Sequence, residues 1–314
     1  MGFEGLLGND RLKENLISSL GKGRISHFYL ISGPEGSGKH TLARLLTAAI
    51  LCRETGKPCG KCGPCRKVLE GNHPDVITVD DPEHKTVAVR IVREAREDVF
   101  IRPNEADHKI YLFPQELGIE GQNTLLKILE EPPNYGVFIL MTDNPDKLLP
   151  TVRSRCTELA LQALDEDTLC RALAKEFPDR SAEDLRAAAI RSGGWLGQAK
   201  ALVSEGADLP QTEAFVQAFA RRDGLLLTQT LAPMEKWKRD QLIPVLESWI
   251  ALVENALVSR AGLPAISAQE RTLSASRSSQ ELMNALRSLK KARDLALGNV
   301  SPGAVCGWLQ WELR

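Results

Sequence analysis

The residues Gly33-Pro34-Glu35-Gly36-Ser37-Gly38-Lys39-His40-Thr41 lie between two stretches of different pattern. Before them, Phe28-Tyr29-Leu30-Ile31 is a short, continuous apolar run, as a buried strand requires. After them, Leu42 to Leu51 reads as a helix. In such a strand–loop–helix the glycines allow a tight turn whose N–H groups point at phosphate oxygens. The helix N-terminus adds a partial positive charge, and Lys39 can reach the outer phosphates. Gly33, Gly36, Ser37, Gly38, Lys39, His40 and Thr41 are therefore the candidate nucleotide-binding residues, with ATP or ADP as candidate ligands.

One position departs from this pattern. The residue after the lysine is ordinarily Ser or Thr, whose hydroxyl holds Mg²⁺. Here it is His40. Thr41 carries a hydroxyl, but one step along a helix rotates a side chain by about 100°. The pattern fits nucleotide binding better than hydrolysis.

Four of the seven cysteines, Cys52, Cys59, Cys62 and Cys65, fall within fourteen residues. Gly56, Pro58, Gly60, Gly63 and Pro64 separate them with turns. Four thiolates on tight turns can close a tetrahedron around Zn²⁺ at about 2.3 Å per bond, leaving no open position. The expected metal is therefore structural. A redox pair at Cys62 and Cys65 is the rival, but leaves Cys52 and Cys59 without a role. His73 is a possible substitute ligand, although a packing role suits it better.

Further strands are predicted at Val76–Val79, Lys109–Phe113, Val137–Thr142 and Leu159–Leu161, with helices at Arg11–Leu20 (capped by Asn9 or Asp10), Val87–Val99 and Gln122–Leu129. This alternation argues for a parallel α/β sheet. The third strand runs into Pro114-Gln115-Glu116, where a phosphate-loop enzyme usually carries the acidic residues that hold Mg²⁺ and poise water. Glu116 suits a structural role better than a catalytic one. From Asp165 onward the pattern is helical: 165–176, 182–191, 196–203, 212–221, 236–259 with a kink or break near Pro244, and 278–297, with a polar loop at 263–277. Trp308 and Trp311, three apart, could share one helix face.

The net charge of −1 supplies no overall basic field, so a DNA contact needs a local patch or a partner. The first residues have neither the basic start nor the apolar core of a signal peptide, and no apolar run reaches the roughly 20 residues of a membrane span. A cytoplasmic protein without a membrane partner is expected.

Ser26-His27-x-Tyr29-Leu30, the glycine loop, the four-cysteine insert, Asn123-x-Leu125-Leu126-Lys127-x-Leu129-Glu130-Glu131-Pro132-Pro133 and Ser154-Arg155-Cys156 follow one another in order. Together they resemble the AAA+ clamp-loader family, specifically the delta-prime subunits of bacterial DNA polymerase III. The resemblance covers about residues 3–205. It implies an α/β AAA+ domain at 1–162 with a zinc insert at 52–65, a helical lid at 163–206 and a helical collar at 207–314. It implies a hetero-pentamer with delta and gamma or tau subunits that loads a sliding clamp onto primer-template DNA during replication. In this family the Ser154-Arg155-Cys156 motif presents Arg155 as an arginine finger to ATP on a neighbouring subunit, where a guanidinium stabilises the transferring phosphoryl group. A surface salt bridge is the plainer role for that arginine.

Three parts of the hydrolytic apparatus are altered together: His40, Pro114-Gln115, and Gly194-Trp195-Leu196-Gly197-Gln198-Ala199, which lacks the arginine that a motor subunit's lid offers to the γ-phosphate. Thr142 or Asn144 stands near the polar sensor position. A weak or inactive ATPase acting as a stator within the polymerase complex is the expectation. The alternatives are an active motor subunit and a zinc-stabilised nucleic-acid-binding module, the latter supported by Lys57, Lys61, Arg66 and Lys67.

Overall fold

The structure, a computed structural model, describes residues 2–204, 210–298 and 300–313. The chain divides into two compact units, Met1–Leu164 and Asp165–Arg314. The boundary expected between lid and collar, at 206/207, lies outside the described residues.

In the first unit, α1 (Asp10–Gly21), β1 (Phe28–Ser32), α2 (Lys39–Leu51), α3 (Gly63–Glu70), β2 (Val76–Thr78), β3 (Thr86–Val87) and α4 (Val89–Asp98) come first. They are followed by β4 (Lys109–Phe113), β5 (Glu116–Leu117), α5 (Ile119–Glu130), β6 (Gly136–Thr142), α6 (Pro150–Arg153) and β7 (Thr157–Ala160). Five strands form a parallel sheet in the order β2-β4-β6-β1-β7, while β3 and β5 make a separate parallel pair. Every residue of β1 and β6 is buried, because helices cover both faces of a parallel sheet.

The register concentrates the chain's few aromatic rings. Phe138 on β6 is paired with Phe28 on β1 and with Tyr111 on β4. Its ring stacks on theirs at 4.5 Å and 5.1 Å between centroids, and Phe113 lies 6.4 Å away. This ladder across three strands fixes one face of the sheet core. The Tyr111 hydroxyl donates to Asp98 at 2.8 Å, and the buried Lys109 ammonium lies 2.8 Å from the same carboxylate, which secures the end of α4.

Several local features differ from the sequence-based expectations. The helix expected from Val87 starts at Val89, because Thr86–Val87 pairs with Glu116–Leu117. A two-residue strand is too short to leave a periodic signature. Gly63-Pro64, read as a turn, opens α3 with Pro64 in its first turn, where its missing N–H costs nothing. Asn9 does not cap α1 with its side chain. Its amide oxygen instead accepts from the Gln162 N–H at 2.8 Å, tying the start of α1 to the chain beyond β7.

The second unit is helical: α7 (Glu166–Glu176), α8 (Ala182–Arg191), α9 (Leu196–Ser204), α10 (Pro210–Arg221), α11 (Gly224–Leu231), α12 (Arg239–Arg260), α13 (Ala268–Ser276), α14 (Ser279–Leu297) and α15 (Pro302–Glu312). The stretch 263–277, read as a loop, contains α13, whose first turn is capped by the Ser267 hydroxyl accepting from the Glu270 N–H. Polar residues hid this helix. α12 runs through Pro244 without a break. By length and composition α12 passes for a membrane span, but Glu247 and Glu254 interrupt its apolar run, and Leu242, Leu246, Trp249, Val253 and Ala256 on it are buried in the core of this unit. Trp308 is partly buried with the Lys291 ammonium 5.0 Å from its ring centre, whereas Trp311 is exposed, so the pair does not share one environment.

One buried ion pair crosses this unit. Arg191 at the end of α8 meets Glu270 on α13 at 2.9 Å, with both side chains about 5% exposed or less. Glu270 also accepts from the Ile266 N–H, and Arg191 donates to Asn255 on α12. Burial pushes the Glu270 carboxyl above its ordinary range, opposed by that N–H and by the guanidinium. Removing one member leaves a buried charge unpaired, which typically costs about 3–5 kcal/mol. Arg191→Ala should therefore lower the urea midpoint of the helical unit by a corresponding amount, and an unchanged midpoint would contradict the assigned role.

Candidate functional site

The glycine loop leaves β1 at Ser32, a residue flanked in register by Thr142 on β6 and Ala160 on β7. The Gly33 N–H donates to the Thr142 carbonyl at 3.2 Å, and the Ser37 N–H closes a turn on the Pro34 carbonyl at 3.1 Å. Gly36 and Gly38 have φ of 76° and 97°, the left-handed region that side chains disfavour. α2 then starts at Lys39, so its first N–H groups, which lack partners within the helix, sit at the loop.

Lys39 is buried and all three of its N–H donors are engaged. They go to the Gly33 carbonyl at 2.7 Å, the Pro34 carbonyl at 3.0 Å and an Asp143 carboxylate oxygen at 2.5 Å. The sequence pattern marks Thr142 and Asn144 but not the residue between them. In the structure the Thr142 hydroxyl donates to the Asn144 carbonyl, and the Asn144 side chain accepts from the Asp146 N–H, so both serve the local turn. Asp143 is the one that reaches the loop. Its position at the C-terminal end of the strand beside β1 is the signal that could have found it, since ligands of open parallel sheets collect there.

His40 is exposed and Thr41 half-buried. Both line a cavity of about 380 Å³ with Pro114 and Met141. A larger cavity, about 790 Å³, lies between α1 and the outer strand β7 and touches none of the loop residues. At the end of β4, the Gln115 amide accepts from the Asp81 N–H at 2.6 Å and donates to the Asp81 carbonyl at 2.9 Å. Glu116 pairs with Lys147 at 2.7 Å. The one carboxylate offered by the Pro114-Gln115-Glu116 segment is thus spent on a salt bridge.

Arg155 follows α6 on the turn into β7 and is about 41% exposed. It donates to the Thr151 carbonyl at 2.9 Å and lies 3.8 Å from Glu130. Neighbouring Arg153 is more firmly held, by Asp146 at 2.9 Å and Glu158 at 3.2 Å. Of these two arginines, Arg155 is the one a second molecule could recruit at little loss.

The four cysteine sulfurs all lie within 4.8 Å of one another, with Cys59–Cys65 and Cys52–Cys62 at 3.9 Å. Four bonds of about 2.3 Å to a tetrahedral ion would set the sulfurs about 3.8 Å apart, so the set fits a metal. The N–H groups of Lys61 and Cys62 bring the Cys59 thiol down to about 6, while burial raises those of Cys52 and Cys65. His73 is not in the cluster. Its Nδ1 accepts from the Asp75 N–H, its Nε2 lies 3.5 Å from Glu105, and burial lowers its pKa.

The insert is anchored through the segment before β4. The Lys67 ammonium meets both Glu105 carboxylate oxygens at 2.6 Å, and Arg53 donates to the Glu105 carbonyl at 2.6 Å. Residues 104–106 are in turn held by three successive N–H groups donating to the buried Asp75 carboxylate. Lys67 is therefore already neutralised, which weakens the basic edge of the insert.

A parallel sheet with a glycine loop between its strand β1 and the N-terminus of α2 defines an open α/β protein with a candidate phosphate loop. More particularly, residues 8–165, half of the chain, match the family described as DNA polymerase III, delta subunit, and the chain belongs to that family. Its fold is a five-stranded parallel α/β sheet with flanking helices, followed by an all-α region. It is 33% identical to DNA polymerase III subunit tau of Escherichia coli over 74% of this chain and 35% of that protein. It is 36% identical to the tau/gamma subunit of Haemophilus influenzae over 55% of this chain and 25% of that one. The chain thus spans about a quarter to a third of the length of these curated relatives. Among solved structures, a DNA polymerase III gamma subunit-related protein from Thermotoga maritima covers 96% of this chain and 99% of its own, at 17% identity and a TM-score of 0.46. A DNA clamp loader delta protein from Bacillus subtilis covers 96% and 98%, at 12% identity and a TM-score of 0.40.

Asp75 yields a pH prediction. Burial raises its pKa, but the N–H groups of 104–106 outweigh that and the net shift is downward. A depressed carboxyl stabilises the fold above its unfolded value, about 3.9, and loses that contribution as pH falls through the folded value. Asp75→Asn should cost about 1–3 kcal/mol near neutrality, as a buried group left short of partners does. The gap from the parent should narrow below about pH 4; a gap constant with pH would exclude the carboxylate's part.

Proposed function

We propose that this chain is the delta-prime, or stator, subunit of a bacterial clamp loader. In this reading it joins delta and gamma or tau subunits in a hetero-pentamer, in the cytoplasm, that places a sliding clamp on primer-template DNA. Residues 163–206 act as the lid and 207–314 as the collar through which the pentamer assembles. The chain binds ATP or ADP at Gly33, Gly36, Ser37, Gly38, Lys39, His40 and Thr41 with weak turnover or none, and lends Arg155 to the ATP of a neighbour. Membership of the family supports the setting. The observation that carries the stator role is the joint alteration of the hydrolytic parts around an intact loop. His40 replaces the Mg²⁺-holding hydroxyl, Glu116 is committed to Lys147, and 194–199 contains no arginine.

An active motor subunit is the second reading, favoured by the tau and gamma names of the curated relatives. In that case Thr41, which lines the same cavity as His40, would have to supply the Mg²⁺ ligand.

The four-cysteine cluster holds structural Zn²⁺ in this proposal. Cys52, Cys59, Cys62 and Cys65 supply all four ligands and the ion ties the loop after α2 to α3; it takes no part in chemistry. Metal analysis should find about one zinc per chain, as a closed four-thiolate site requires. Cys62→Ser should lose it together with order at 52–65; a chain that purifies without zinc yet keeps that segment ordered would defeat the assignment.

Arg155→Ala should fold normally, because the side chain is about 41% exposed and its bonds are few. In a complex reconstituted with gamma or tau and delta subunits, it should slow hydrolysis at the neighbouring site by a factor on the order of 10³ or more, the usual worth of an arginine finger. Unchanged turnover in the presence of clamp and primed DNA would remove the finger role.

A further inference from the structure

The lysine of the glycine loop is already paired with an anion of the protein. Asp143 leaves the end of β6 one residue beyond Thr142, whose carbonyl accepts the first N–H of the loop. Its carboxylate lies 2.5 Å from the Lys39 ammonium, whose other two donors are taken by the Gly33 and Pro34 carbonyls. The lysine side chain is 9% exposed and the aspartate 56%. The carboxylate, the more exposed partner, therefore meets the lysine from the solvent side.

A lysine in such a loop serves the outer phosphates of a nucleotide. Here that cation is already paired with a negative group of the protein. Any further phosphate oxygen brought to Lys39 must displace Asp143 or stand beside it as a like charge, and either is unfavourable in a partly buried site. The backbone N–H groups at the start of α2 are separate from this pair and remain in place for inner phosphates. We propose that Asp143 is a specificity-determining residue of the loop. Its carboxylate stands in for a terminal phosphate on Lys39, so the loop takes a nucleoside diphosphate in preference to a triphosphate. This rests on the loop being a nucleotide site, and deepens that reading by assigning its preference.

The test is titration of the intact chain with Mg²⁺-ATP and with Mg²⁺-ADP by calorimetry, on the parent, Asp143→Asn, Asp143→Ser and the double variant Asp143→Asn/Lys39→Ala. Asp143 is exposed enough that both single variants should retain the parent's circular dichroism, and the serine variant guards against a fault peculiar to asparagine. The ratio of the ATP to the ADP dissociation constant should fall at least tenfold in either single variant, mainly through tighter ATP. Removing Lys39 in the double variant should abolish that gain, as coupling of two contacting residues requires. A fall of less than tenfold, or a parent that binds ATP as tightly as ADP, would overturn the role of Asp143 while leaving the loop a nucleotide site. Binding of neither nucleotide by the parent or by the single variants would overturn the nucleotide reading, and this inference with it.

Discussion

The parallel pairing of β1 between β6 and β7 sets the geometry on which the rest depends. Because Ser32 lies level with Thr142 on one side and Ala160 on the other, the chain leaves all three strands at one end of the sheet. The glycine loop, Asp143 and the chain leading on from β7 therefore share that end, while Arg155 stands just before β7 begins. The aromatic ladder through Phe28, Phe138 and Tyr111 keeps this register: a slip of one residue would turn every side chain of a strand to the opposite face. A scaffold so strongly specified can be retained even when the chemistry at its edge has been altered.

That edge combines a kept and a changed half. The loop keeps its left-handed glycines and its buried lysine. Around it, an imidazole stands at His40 where a hydroxyl is usual, Gln115 and Glu116 after β4 are tied into hydrogen bonds and a salt bridge, and an aspartate occupies the lysine. In the proposed reading these changes act on the same step, the handling of charge on an outer phosphate. Arg155, lightly held and partly exposed, suits the complementary task of stabilising such charge elsewhere. The buried Arg191–Glu270 pair, which couples α8 to α13, makes a bracing role for the helical unit physically reasonable, since moving one helix from the other would strand a charge.

Much of this was legible in the sequence, for reasons that can be stated. Strands β1, β4 and β6 are continuous apolar runs, and the parallel sheet follows from their alternation with helices. The spacing of Cys52, Cys59, Cys62 and Cys65 foretold a cluster that the structure closes to within 4.8 Å. What was illegible depended on partners distant along the chain. Nothing local marks Thr86–Val87 as a strand until Glu116–Leu117 lies beside it. α13 was hidden by its polar surface, since its burial comes from Leu273 and from a glutamate satisfied by Arg191. Asp143 was passed over because its significance is a contact with a lysine 104 residues earlier, which no spacing rule encodes.

The claim at the centre of this account is that the chain keeps the form of an ATP-binding module without its hydrolytic step. The most direct measurement is Mg²⁺-dependent ATP turnover by the purified chain alone, compared with its Lys39→Ala variant. The account predicts that the two are indistinguishable and close to background. Sizeable turnover that disappears with Lys39 would contradict it and make this chain a motor subunit.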